Sequence, residues 1–296
     1  MGKDVFDASP AAQAVFFAAD GALGEPISRL CFEGPEDALM LTANTQPALV
    51  ATSIALLEAL REKGALPPIA FAAGHSLGEY SALVAAGALH LADAIRLVRI
   101  RGKAMQEAVP AGLGAMAAVM GLDVAAVEAI CRAAAGDEVV SPANFNGGQI
   151  VIAGHAAAVE RAGKLCAEQK GKFIPLKVSA PFHCALMAPA AQTMDAHLGA
   201  VTIGNFSFPV VANVDAQPNR DPARVRELLI RQIDGVVRWD ETIRRMAADG
   251  VTHAIEVGPG KVLAGLVKRI DKSITVFPCG DAASIASTAR ELAALA

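Results

Sequence analysis

The chain has 296 residues, 53% of them hydrophobic, which suffices for one large α/β domain or for a large domain that carries a smaller one. Its 26 basic and 30 acidic side chains give a formal net charge of −4, which excludes a bulk basic surface for nucleic acid or an anionic membrane. The first thirty residues lack a charged head followed by an apolar core, and no apolar run approaches the roughly 18 residues of a membrane span, so we expect a cytoplasmic protein.

The first 110 residues are predicted to be mostly helical. The predicted elements are a helix over 48–63 that follows Asn44-Thr45-Gln46-Pro47, a buried strand over 68–73, and helices over 77–89 and 91–109. The strand and the next helix flank Gly74-His75-Ser76-Leu77-Gly78, and a Gly-x-Ser-x-Gly on a strand-to-helix turn is typical of a nucleophilic serine. The helix N-terminus after Ser76 offers free N–H groups, so the Leu77 amide could donate to an oxyanion.

A different pattern of elements begins near residue 113. The predicted elements are strands over 115–120, 139–143, 149–153 and 172–178 and helices over 124–134 and 156–169. This β-α-β-β-α-β order is typical of a ferredoxin-like subdomain, with Asn146-Gly147-Gly148 as the hairpin turn between its middle strands. We therefore predict a subdomain over 113–179, inserted into a large domain made of residues 1–112 and 180–296.

The last third of the chain is predicted to return to the large domain. The predicted elements are strands over 207–213, 253–257 and 274–278 and helices over 222–233, 239–248 and 261–269, with a terminal helix after them. Gly258-Pro259-Gly260 is predicted as a tight turn. The fold class is α/β: a large α/β-hydrolase-like domain with a mainly parallel sheet plus the inserted ferredoxin-like subdomain.

The five cysteines are widely separated and show neither Cys-x-x-Cys pairs nor the Cys/His spacing of metal ligands. We therefore expect no disulfide framework, no metal site and no cofactor.

A serine nucleophile needs a base, and of the six histidines His183 stands apart, because Pro181 fixes the backbone before it where the chain leaves the small subdomain. No aspartate has a distinguishing context, so we expect a dyad oriented by an amide or a backbone carbonyl. Arg101, on the helix after the serine helix, could select acyl groups that end in a negative charge.

These segments resemble the malonyl-CoA:acyl carrier protein transacylases of fatty-acid synthesis. The matching stretches are Thr45-Gln46-Pro47-Ala48, Gly74-His75-Ser76-Leu77-Gly78-Glu79-Tyr80, Arg101-Gly102-Lys103-Ala104-Met105-Gln106, Asn144-Phe145-Asn146, Pro181-Phe182-His183-Cys184-Ala185-Leu186-Met187 and Glu256-Val257-Gly258-Pro259-Gly260-Lys261-Val262-Leu263. They occur in the family's order and cover nearly the whole chain.

The resemblance implies a malonyl transfer from malonyl-CoA to the phosphopantetheine thiol of acyl carrier protein, by a monomer that binds neither nucleic acid nor membrane. By this resemblance Ser76 carries the acyl group, His183 is the base, Gln232 accepts a hydrogen bond from the histidine, and Leu77 supplies an oxyanion donor. The resemblance also implies four substrate-binding residues: Arg101, Met105, Phe182 and Val262.

The family also has a strand ending in Gly-Gln-Gly-Ser-Gln before the segment that corresponds to Met1-Gly2-Lys3-Asp4. It supplies the second oxyanion donor, whose loss we expect to cost about 10²–10³ in rate. Two alternatives stay open at this point. One is a serine hydrolase or thioesterase, which shares Gly-x-Ser-x-Gly but places its histidine late in the chain. The other is a catalytically impaired binding protein with the acyltransferase fold.

Overall fold

Seven helices form the first part of the computed structural model, which describes residues 1–64 and 66–295. They are α1 (Lys3–Ala8), α2 (Pro10–Leu23), α3 (Ile27–Glu33), α4 (Glu36–Met40), α5 (Thr42–Glu62), α6 (Gly78–Ala85) and α7 (Leu91–Glu107). Helix α5 begins six residues earlier than predicted, because Asn44 and Thr45 are not a lead-in to it. Their side chains donate to the carbonyls of Ala38 and Leu39 at 2.8 and 2.6 Å and so tie the start of α5 to α4.

Helix α5 lies at the centre of the largest hydrophobic core, between α2 and α7. Alanines at 48, 51 and 55 are fully buried on it and let the neighbouring helices approach closely. The closest approach to α7 is at Gly102, where a Cβ atom would lie 2.6 Å from the Thr42 carbonyl oxygen. This packing brings the adjacent Arg101 into the core.

The middle of the chain folds into a four-stranded antiparallel sheet with two helices. The elements are β1 (Gly114–Met120), α8 (Val124–Ala135), β2 (Val140–Phe145), β3 (Gln149–His155), α9 (Ala156–Glu168) and β4 (Lys172–Pro175). Their order along the chain is the predicted one, and the strands lie side by side as β2-β3-β1-β4. At the hairpin between β2 and β3, Asn146 N donates to Gln149 O at 2.9 Å, and both glycines have a positive φ, as a type I′ turn requires.

The two faces of this sheet have different partners. Alternation along β3 directs Ile150 and Ile152 toward α8 and α9. Val151 and Ala153 lie on the opposite face and pack with Cys184, the residue after His183. The sheet therefore supports the loop that carries the predicted base.

The remaining elements complete the fold around these two parts. They are a 3₁₀ turn (Ala185–Met187), α10 (Ala188–Gly199), β5 (Val210–Val211), β6 (Pro218–Asn219), α11 (Pro222–Asp234), α12 (Trp239–Ala248), β7 (His253–Val257), α13 (Val262–Ile270), β8 (Thr275–Cys279) and α14 (Ala282–Ala293). Strands β7 and β8 are parallel, whereas β5 and β6 form a short antiparallel pair. The α/β class is confirmed by these mixed elements and by the structural matches reported below.

The predicted strands over 68–73 and 207–213 are much shorter than expected. The first makes only a single parallel bridge, between Ala72 and Val210, and the second is reduced to β5. Ala72 N donates to Pro209 O at 2.9 Å, and Val211 N donates to Ala72 O at 2.8 Å. On the N-terminal side of this bridge the pairing goes no further, because Pro209 has no N–H to donate.

Within residues 1–64 and 66–295, no helix combines the length and the apolar character needed to cross a membrane. All five cysteines are buried and free.

Candidate active site

Ser76 lies on a strained turn between the extended segment at Ala72 and helix α6. Its φ of 51° falls in the left-handed region, which a residue with a Cβ atom rarely adopts. The turn is tight enough that a Cβ on Gly74 would lie 2.0 Å from the backbone of Gly78. Of the two motif glycines, only Gly74 is fixed by this steric contact, since a Cβ on Gly78 would meet nothing within 4 Å.

His183 faces Ser76 across the site. The distance from Ser76 Oγ to His183 Nε2 is 2.7 Å, and His183 Nδ1 lies 2.8 Å from the backbone carbonyl oxygen of Gln232. Since a carbonyl only accepts, Nδ1 carries the proton and Nε2 is left as the acceptor for the serine hydroxyl. Of the two orienting groups left open by the sequence, the structure has the backbone carbonyl.

His183 is buried, with only 4% of its surface exposed. Burial, reinforced by the nearby Arg101 charge, lowers the pKa of His183 from 6.5 to about 3. The imidazole is therefore neutral at physiological pH, which is the state that can take a proton from Ser76.

Arg101 is a buried cation with neutral partners. Its guanidinium donates to Gln46 Oε1 at 2.8 Å, to Gln232 Oε1 at 2.9 Å and to Ser76 Oγ at 3.0 Å, and it lies 5.8 Å from the centre of the Tyr80 ring. Within the described residues it forms no ion pair. Burial lowers the pKa of Arg101 from its usual value. A buried guanidinium without a carboxylate partner, directed at the nucleophile, is suited to bind an anionic acyl group.

The remaining predicted site residues differ in how far they are buried. Met105 is fully buried one turn after Arg101 on α7, and Phe182 is half-buried beside His183. Val262 is 71% exposed at the first residue of α13, so it does not share the buried environment of Met105. Leu77 immediately precedes helix α6, and among the described residues its N–H has no protein acceptor, so it remains available to an oxyanion.

His75 contacts the other side of the turn from the dyad. Its Nε2 lies 3.0 Å from Asn146 Oδ1 in the β2–β3 hairpin, and its ring lies beside Trp239, with the ring centres 5.6 Å apart. His75 thus connects the serine turn to the four-stranded sheet.

Sequence reasoning missed three buried polar residues around the dyad: Gln46, Glu79 and Asn213. Gln46 and Glu79 occur in the quoted motifs, but nothing there indicated their contacts, and Asn213 carried no signal. Glu79 Oε2 accepts from Gln232 Nε2 at 2.8 Å and from Asn213 N at 3.0 Å, and Asn213 Oδ1 accepts from Ser76 N at 2.7 Å. The bonds of Gln46 to Arg101, of Asn213 to Ser76 and of Glu79 to Gln232 join residues that are 55, 137 and 153 positions apart along the chain.

Burial raises the pKa of the Glu79 carboxyl from 4.5 to about 7, against the smaller opposing effect of its hydrogen bonds. Because the folded pKa lies above the unfolded one, the folded state holds this proton more tightly, and that stability is lost as the pH rises through 7. We expect the unfolding free energy of the wild type to fall by about 3 kcal/mol relative to Glu79→Gln between pH 4 and 8. Urea unfolding of both proteins across this range measures the difference.

The amide of Glu79→Gln keeps an oxygen that can accept hydrogen bonds from Gln232 and Asn213, but it has no proton that titrates in this pH range. Glu227→Gln is the matched control, since Glu227 is exposed and, among the described residues, forms an ion pair with Arg231 alone. Parallel pH profiles for wild type and Glu79→Gln would contradict the raised pKa.

Comparison with known proteins places this geometry in a family. A profile of the family described as Acyl transferase domain matches residues 1–294. The chain is similar to the malonyl CoA-acyl carrier protein transacylase of Escherichia coli strain K12, with 47% identity over 289 residues, which is 97% of this chain and 93% of that protein.

Two solved structures are similar to this chain over nearly its whole length. The acyl-carrier-protein-S-malonyltransferase from Bartonella henselae has a TM-score of 0.95 and 47% identity, with 99% of this chain and 95% of that chain covered. A malonyl-transacylase solved in complex with a holo type II PKS acyl-carrier protein has a TM-score of 0.95 and 44% identity, with 98% and 94% covered.

Proposed function

The chain belongs to the acyl transferase domain family, and on this premise we propose that it transfers a malonyl group from malonyl-CoA to the phosphopantetheine thiol of acyl carrier protein through an ester on Ser76. The observation that carries the assignment is the position of the Ser76 hydroxyl. It lies 2.7 Å from a neutral imidazole and 3.0 Å from a buried guanidinium. A base and a carboxylate-binding group thus meet at one nucleophile.

In the first step, Ser76 Oγ attacks the thioester carbonyl of malonyl-CoA while its proton passes to His183 Nε2. The Gln232 carbonyl holds the Nδ1 proton of the imidazolium that forms, and the Leu77 N–H donates to the oxyanion. The C–S bond then breaks, and the CoA thiolate takes the proton from His183. In the second step, His183 takes the thiol proton of phosphopantetheine, the thiolate attacks the ester, and Ser76 Oγ leaves with that proton. Ping-pong kinetics follow from this order.

Arg101 supplies the selectivity for malonyl in this proposal. The Nη2 group of Arg101, which donates to Ser76 Oγ, can turn to a substrate carboxylate. The other partners of the guanidinium are the neutral amide oxygens of Gln46 and Gln232, so neither of them offers a competing negative charge. An acetyl group offers no anion, so it leaves the buried charge unpaired. Phe182, Met105 and Val262 are the proposed remaining substrate contacts.

We propose the finer fold description and assembly as follows. Residues 113–179 form a ferredoxin-like subdomain, which the strand order β2-β3-β1-β4 supports, inserted into an α/β-hydrolase-like domain of residues 1–112 and 180–296. We expect a cytoplasmic monomer with no cofactor of its own, because the carrier brings the phosphopantetheine. The hydrolase and binding-protein alternatives lose support, since the relatives are transacylases and the dyad is assembled.

The Arg101 assignment is tested by measuring transfer from malonyl-CoA and from acetyl-CoA to holo acyl carrier protein. We expect Arg101→Ala to lower kcat/KM for malonyl-CoA by about 10²-fold, because a charge-assisted pair is lost, and to leave acetyl transfer unchanged or higher. The matched control is Arg96→Ala, which removes an exposed arginine from the same helix. An unchanged malonyl-to-acetyl ratio in Arg101→Ala would show that another group binds the carboxylate.

A further inference from the structure

Asn213 spans the nucleophile turn with both polar atoms of its side chain. Its Oδ1 accepts from the Ser76 N–H at 2.7 Å, and its Nδ2 donates to the Gly74 carbonyl at 2.8 Å. The side chain is completely buried, so water does not compete for these bonds. One residue therefore holds the backbone on both sides of His75.

The turn needs such a restraint, because Ser76 has a left-handed φ of 51°. A non-glycine residue in this region is strained, and it persists only where the surroundings impose it. The direction of the Ser76 Oγ atom follows from this backbone conformation. A relaxed turn would carry the hydroxyl away from His183.

The backbone of Asn213 is itself fixed on both sides. Its N–H donates to Glu79 Oε2 at 3.0 Å, and its carbonyl accepts from Arg238 N at 2.9 Å. The same Glu79 oxygen accepts from the Gln232 side chain, and the Gln232 carbonyl holds His183. A chain of buried hydrogen bonds therefore connects the two members of the dyad through Asn213, Glu79 and Gln232, independently of the bond between Ser76 and His183.

We propose that Asn213 is a positioning residue for the reaction, which directs Ser76 Oγ at His183 by its two hydrogen bonds across the turn. The inference rests on the proposed function, since it assigns Asn213 a part in the acylation of Ser76. An asparagine with a purely structural role would stabilise the fold without changing the rate of that step.

The matched comparison is between Asn213→Ala and Asn219→Ala in the full chain. Asn219 is also a buried asparagine, 5% exposed, and within residues 1–64 and 66–295 its side chain bonds the backbone of Asp221 alone: its Nδ2 donates to Asp221 O and its Oδ1 accepts from Asp221 N, both at 3.1 Å. For both variants, rapid quenching and intact mass give the rate constant of malonyl-enzyme formation and the malonyl-CoA concentration at half-saturation, and thermal unfolding gives the stability. We expect Asn213→Ala to lower the rate constant 10- to 100-fold with half-saturation unchanged. Asn219→Ala should stay within about twofold of the wild type.

The outcomes separate this inference from the proposed function. A wild type that forms no malonyl ester on Ser76 overturns the function. A wild type that acylates, together with an Asn213→Ala variant that acylates equally fast per folded molecule, overturns the role of Asn213 alone. Should the alanine variant fail to fold, the nearly isosteric Asn213→Asp, which replaces the donor to Gly74 O by a carboxylate oxygen, must show the same slowing at unchanged half-saturation. A wild-type rate there also overturns the proposal.

Discussion

Ser76→Ala should form no malonyl adduct with malonyl-CoA and should lose transfer activity by a factor on the order of 10⁴ or more. The reason is that the hydroxyl oxygen at 2.7 Å from His183 and 3.0 Å from Arg101 is the proposed ester-forming atom. The substitution retains a Cβ at a φ of 51°, so the backbone strain is unchanged and the fold should persist. Intact mass after incubation with malonyl-CoA gives the direct readout, and peptide mapping locates the adduct in the wild type.

The matched control for this experiment is Ser81→Ala, the same substitution five residues later, on helix α6. Its adduct and transfer rate should equal those of the wild type. An adduct of undiminished yield in Ser76→Ala would move the acyl group to another residue and remove the basis of the mechanism.

His183→Ala should lower the rate of Ser76 acylation by about 10²–10⁴-fold, the usual contribution of a positioned general base. His183 Nε2 is the only histidine nitrogen within hydrogen-bond distance of the Ser76 hydroxyl among the described residues. The effect should lie in the rate constant rather than in half-saturation, because Arg101, the proposed partner of the substrate carboxylate, remains in place. The same mass measurement, made as a time course, gives both quantities.

The control for this variant is His197→Ala, which removes an exposed imidazole from the end of α10. Folding is checked separately, since the loss of His183 leaves the buried Gln232 carbonyl without its donor. Acylation of folded His183→Ala at the wild-type rate would require a different base.

Short-range patterns in the sequence located the turn of the proposed nucleophile correctly. A Gly-x-Ser-x-Gly before an Ala- and Leu-rich helical segment predicts the turn, and the structure has Ser76 at a positive φ immediately before α6. The same holds for most elements between 114 and 175, where alternation and helical periodicity are local properties of the chain. The predicted bounds of the strands over 68–73 and 207–213 were wrong. Hydrophobicity alone does not show whether the backbone of a segment that contains proline forms hydrogen bonds with a neighbouring strand.

The environment of the dyad could not be derived in this way. The backbone carbonyl of Gln232 orients His183, and the Gln232 side chain bonds Arg101 and Glu79. Both sets of contacts depend on how α11 packs against the serine turn. Gln46 likewise bonds Arg101 only because α5 and α7 approach closely at Gly102.

The sequence by itself determined the residue types and the local turns that chemistry at this site requires: a serine on a tight turn, a histidine after a fixed proline, and an arginine on the following helix. The tertiary structure decided which of the six histidines reaches the serine, and that Arg101 is buried among neutral acceptors. It also decided that Asn213 holds the turn from 137 residues away. The physical reason is that backbone conformation follows from neighbouring residues, whereas burial, pKa and hydrogen-bond partners are set by segments that meet only when the chain has folded.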